Sequence, residues 1–236
     1  MSEADEQHRT LSRRLLGVFV AAAGAGMCMH LMGWFPLAWV AGVNVLLTQA
    51  GLAGLIVLAA GGYAWPIVAR VAPGGAPPGL RVVTACALGL WVLSTGVLIL
   101  GTCGVLTGWV WWPVVGVGAV AAGWQGRHAL RRWKPPQRHD GRALVWVLVA
   151  AGAGVWLAGA LRPAGHIGAS DAYDVLEYHL QLPREYLFAG SVRQTPRNAY
   201  GYYPLGVEML FTLGMVLCGG AYEGMYLAKT LHGIFG

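Results

Sequence analysis

Apolar residues run through this chain in long uncharged blocks, separated by short clusters of Gly, Pro and charge. The blocks cover residues 15–34, 37–60, 82–100, 106–124, 143–161, 203–218 and 222–236. Several reach the ~20 residues that a helix needs to cross a ~30 Å hydrocarbon layer. A Gly-Trp-Phe-Pro turn closes the first, and Pro36 suits the opening turn of the next helix. Residues 61–81, with "APGGAPPG" inside, read as a breaker-rich loop, and "GTCG" breaks the chain after the third block. The pattern predicts an all-α polytopic membrane protein with about seven transmembrane helices.

Composition agrees. Only 11% of the residues are charged and 56% are hydrophobic, whereas soluble domains carry about 25% charged residues. The 36 glycines fit close helix packing in a bilayer. Cys28, Cys86, Cys103 and Cys218 lie in or at the ends of apolar blocks without metal-ligand spacing, and read as packing residues. "SRRLLGVFV" is a basic flank that holds the N-terminus inside, since no bounded cleavage site follows it.

The net charge of +6 is concentrated. Arg127, Arg131, Arg132, Lys134, Arg138 and Arg142 share residues 125–142 with one acid, Asp140. The positive-inside rule makes this a cytoplasmic loop and explains its charge without a nucleic-acid partner. Counting crossings then gives a polar cytoplasmic N-terminus at 1–14, four helices without an assignable motif at 15–124, and an extracytoplasmic loop at 162–202. That loop is formally neutral, with Arg162, Arg184, Arg193 and Arg197 against Asp171, Asp174, Glu177 and Glu185.

The acids in this loop gather beside a histidine and tyrosines. On a helix over 171–182, Asp171, Asp174 and Tyr178 share a stripe, with Tyr173, Leu176 and Leu180 opposite. Such an element lies in the membrane interface. Two readings stay open. Asp171 serves as an N-cap with Asp174 at N3, or the acids serve chemistry alongside Tyr178 and His179. Pro183 ends this helix or starts a second one, "PREYLFAG", with Gly190 as its C-cap. Glu208 and Lys229 recur inside apolar blocks, where an ionisable group points to function. The azimuths of Asp171, Asp174, Glu177 and His179 spread too widely for more than two to meet one ion. No metal site is assigned and no cofactor is called for; a divalent metal is compatible but not indicated.

Three stretches carry a family resemblance: "YDVLEYHLQLPREYLFAG", "NAYGYYPLGVEMLFTLG" and "YLAKTLHGIFG". In order and spacing, residues 144–236 resemble bacterial integral-membrane glycosyltransferases of the GT-C type. These are related to protein mannosyltransferases and to the lipid A aminoarabinose transferase. The resemblance implies transfer of a sugar from a polyprenyl-phosphate donor to an acceptor outside the inner (cytoplasmic) membrane, in cell-envelope glycan or glycolipid synthesis. By the match to the Tyr-His-Leu block, Asp174 is the expected catalytic base and Asp171 the second candidate. His179, Tyr178, Arg184, Arg193, Arg197, Glu208 and Lys229 are the expected substrate-binding residues. The family continues with further helices, so the resemblance implies that residues 143–236 begin a catalytic module, truncated here, of a larger fold. Two other classes stay open. In a transporter segment, Glu208 and Lys229 would line a pathway; in a non-catalytic membrane scaffold, the outer loop would bind a partner.

Overall fold

The computed structural model describes residues 36–73, 75–132, 178–196, 198–202 and 205–235, together with a few helical positions between 147 and 153. The chain divides into two compact units, residues 1–46 with 135–162 and residues 47–134 with 163–236. In the first, the described positions are helical. The rest of the account concerns the second.

Every regular element among the described residues is a helix: α1 Pro36–Val71, α2 Pro78–Thr102, α3 Gly108–Arg132, α4 Gln181–Ala189, a short 3-10 turn Ala199–Tyr202, α5 Gly206–Cys218 and α6 Ala221–Phe235. Two stretches, Leu47–Val71 of α1 and Pro78–Thr102 of α2, are long and apolar enough to cross a bilayer.

The boundaries differ from the sequence expectation in instructive places. The second block does not end near Ala60. α1 runs on through Gly61, Gly62 and Pro66, and the predicted loop at 61–81 shrinks to residues 72–77. Gly62, inside the predicted loop, is a packing position, and so is Gly89 of α2. A side-chain carbon on Gly62 would meet the Gly118 carbonyl of α3, and one on Gly89 of α2 would overlap the Ala60 backbone of α1. Small residues here let backbones touch. α2 starts at Pro78, where a missing N–H costs nothing. It stops at the predicted break, with Gly104 at φ 80°. The Val105 N–H closes the end by bonding the Leu100 carbonyl at 2.9 Å. α3 continues past Trp124 into what was expected to be the basic loop, carrying Arg127, Arg131 and Arg132 on the helix.

The sixth block gives α5, which is only 13 residues, about 20 Å at 1.5 Å per residue. It is too short to cross alone. Its residues from Glu208 to Leu217 are all buried, with α2, α3, α4 and α6 packed around it. Gly219 (φ 77°) and Gly220 end it; the Gly220 N–H bonds the Met215 carbonyl at 3.1 Å. The chain reverses there, and α6 returns antiparallel against α5. Ser94 of α2 donates its hydroxyl to the Gly206 carbonyl at the other end of α5. The outer faces of α1, α2 and α3 expose large apolar side chains, among them Leu58, Trp91, Ile99, Trp109 and Trp124.

Candidate functional site

The loop between Tyr178 and Leu205 folds back onto the α5–α6 hairpin. Tyr178 and His179 are in a wide helical conformation, Leu180 breaks it, and α4 begins at Gln181. The break therefore falls before Pro183, which sits buried in the first turn of α4. Leu182 and Tyr186 fill the inner face of α4 and are fully buried. Gly190 caps the helix as expected, at φ 64°, with the Ser191 N–H bonded to the Tyr186 carbonyl at 3.1 Å. The Val192 N–H then bonds the Gly101 carbonyl of α2 at 2.9 Å, tying the loop to the bundle.

This folding brings the Tyr-His-Leu stretch onto the first turn of α5. His179 Nδ1 lies 2.6 Å from Glu208 Oε1. The Glu208 side chain is 6% exposed and that of His179 is 25% exposed. A buried carboxylate is expensive unless bonded, and His179 supplies that bond. Aromatic rings surround the pair. Tyr178 sits 4.1 Å from the His179 ring and stacks on Tyr200 at 4.7 Å. Phe211, one turn on from Glu208, meets the His179 ring edgewise at 6.4 Å. His232, in the last turn of α6, lies 5.9 Å from both the His179 and Phe211 rings. Tyr186, beneath, has its phenol pushed above its usual range by burial, with the Glu185 and Glu208 charges adding to the effect.

A groove of about 730 Å³ runs alongside, between α4 and the α5–α6 turn. Leu187, Phe188, Met215 and Met225 make it largely apolar, and Arg184, Tyr222 and Glu223 supply its polar groups. Arg184 lies 5.5 Å from the Phe188 ring on the outward face of α4.

The candidates from sequence are thus distributed unevenly. Tyr178, His179 and Glu208 come together. Arg184 faces the neighbouring groove, and Arg193 is exposed in the loop after α4. Lys229 is half-buried on α6. The bonded partner of Glu208 is His179. Asp171, Asp174 and Arg197 lie outside the described residues. His232, Tyr200 and Phe211 were missed by sequence reasoning. The His at the end of "YLAKTLH" was the available signal. Among the described residues, no three His, Cys, Asp or Glu side chains group to hold a metal ion.

Chemically, a carboxylate on one imidazole nitrogen orients the ring and sets its tautomer, leaving Nε2 as the second proton site. Comparison with protein-family models, with curated proteins and with solved structures gave no match.

Proposed function

We propose that the chain is part of a multi-pass inner-membrane glycosyltransferase of the GT-C type that takes a sugar from a polyprenyl-phosphate donor on the extracytoplasmic side. The observation that carries this reading is convergence. The three stretches that resemble the family each contribute to one cluster: His179 from the first, Glu208 and Phe211 from the second, His232 from the third. Unrelated apolar segments have no reason to pool their polar side chains. The helix surfaces favour a bilayer as well. Only 39% and 33% of an apolar window in each of these two stretches is buried within the protein, and Leu58, Ile67, Trp91 and Ile99 are among their exposed residues. The core helix of a soluble protein would be mostly covered.

In this reading Asp174 accepts the proton of the acceptor hydroxyl as its oxygen attacks the anomeric carbon. Asp171 stands by as a second carboxylate. The polyprenyl phosphate leaves, and Arg184, Arg193, Arg197 and Lys229 offer cationic donors to its developing charge. The apolar groove beside Arg184 suits the lipid portion of the donor. Tyr178 and His179 bound the sugar, with Glu208 held behind His179.

The test is Asp174→Asn, assayed for sugar transfer from a polyprenyl-phosphate donor in membranes carrying the full reading frame. Loss of ~10²-fold or more with normal folded yield is expected of a general base. A helix cap would lose about 1 kcal/mol of stability or less and keep its turnover. Asp171→Asn is the control, because Asn caps as well as Asp. Undiminished transfer by Asp174→Asn would remove the catalytic assignment.

A further inference from the structure

We infer that Glu208 acts through His179 as a positioning residue, and that the His179 ring in its neutral form presents Nε2 as a hydrogen-bond acceptor to a hydroxyl-bearing ligand. The geometry is specific. The 2.6 Å contact joins Nδ1, not Nε2, to the carboxylate, so a hydrogen must lie between them. An ionised carboxylate can only accept, so the shared hydrogen is carried by Nδ1. A neutral ring with its proton on Nδ1 has a lone pair on Nε2.

The surroundings agree. Glu208 is buried in the first turn of α5, where the helix N-terminus favours its negative form. Thr212 donates its hydroxyl to the Glu208 carbonyl, not to its carboxylate. Glu208 is too deeply enclosed to meet a ligand itself, whereas the His179 side chain keeps a quarter of its surface open. The carboxylate engages Nδ1, which leaves Nε2 as the ring nitrogen to offer a ligand. Tyr178, Phe211 and His232 enclose the ring with aromatic surface, which suits a sugar's C–H faces and hydroxyls better than a phosphate. An acceptor nitrogen likewise matches a hydroxyl; the phosphate needs donors, which the arginines supply. Glu208 was expected from sequence to bind substrate, and this assigns it an indirect role.

The assignment of the ligand as a sugar hydroxyl rests on the glycosyltransferase reading; the tautomer does not. The experiment accordingly has two arms. Nitrogen-15 NMR of histidine-labelled, detergent-solubilised protein at alkaline pH, with His179 assigned by the loss of its signals in His179→Ala, reads where the proton sits. Protonation at Nδ1 is expected; protonation at Nε2 overturns the proposal whatever the activity. The second arm is a double-mutant cycle on transfer. Glu208→Gln should lower kcat by ~10-fold or more when His179 is present and cause no further loss in His179→Ala. Losses that multiply would mean that Glu208 meets the ligand directly, and would also overturn it. A wild-type chain with Nδ1–H but no sugar transfer under any donor tested would count against the glycosyltransferase reading alone.

Discussion

Gly89 of α2 lies so close to Ala60 of α1 that a side-chain carbon at position 89 would overlap the Ala60 carbonyl. Neither helix can yield without opening the interface. Gly89→Ala should therefore destabilise the protein by about 1–3 kcal/mol, the scale of overpacking, and lower the thermal midpoint in detergent. Gly96→Ala on the same helix is the contrast. Its nearest neighbour is the Trp111 ring at 3.8 Å, an ordinary contact, so it should be neutral or slightly stabilising, since Ala is the better helix former. Equal effects from the two would discard the close-packing explanation.

Arg184 and Phe188 stand together on the outer face of α4 at the mouth of the apolar groove. If the donor's phosphate and lipid lie there, Arg184→Gln should raise KM for the lipid-linked donor at least several-fold with little change in folded yield. Charge-assisted contacts to phosphate contribute about 1.5–3 kcal/mol. The same variant should leave KM for the acceptor unaltered. A selective effect on the acceptor would place the phosphate elsewhere.

Tyr186 predicts a pH dependence. Burial raises its phenol above the ordinary value of about 10. Above that pH the unfolded chain ionises before the folded one, so the unfolded state binds fewer protons and stability falls as pH rises. The contribution is intact below about pH 10 and is lost above it. Tyr186→Phe should flatten the decline in unfolding midpoint measured from neutral to strongly alkaline pH. Parallel curves for the two proteins would assign the decline to other groups.

Topology yields a separate prediction. Cysteines at Ala129 and Gln194, in a background without the native cysteines, should differ in labelling by an impermeant thiol reagent in intact cells. The asymmetry of charge between the basic segment and the neutral loop sets the expected direction, with Gln194 labelled and Ala129 protected. Equal labelling would exclude the orientation.

Local signals in the sequence were read well where the chain itself decides the outcome. Gly190 ends α4 and the "GTCG" break ends α2 because a left-handed residue terminates a helix whatever surrounds it. Gly62 was misread as part of a loop because the same residue type also permits close backbone approach, and the partner that uses it, Gly118 of α3, is far along the chain. Glu208 announced itself as an acid in an apolar block. Its partner did not, since a bond between positions 179 and 208 depends on how α4 docks on α5. The short span of α5 was equally hidden. An apolar run marks burial, and burial by four helices reads the same as burial by lipid.

The turn between α5 and α6 consists of two glycines, and Glu208 and His232 stand at nearly equal distances along the chain on either side of it. That equality is what lets the first turn of one helix meet the last turn of the other. Adding one residue to α6 would rotate everything beyond it by about 100° and swing His232 away from Phe211. Leu231 would take its place. Residue count from the turn thus behaves as a coordinate, selecting which side chain faces the pair. At this site an insertion or deletion is a change of chemistry, even where every amino acid is retained.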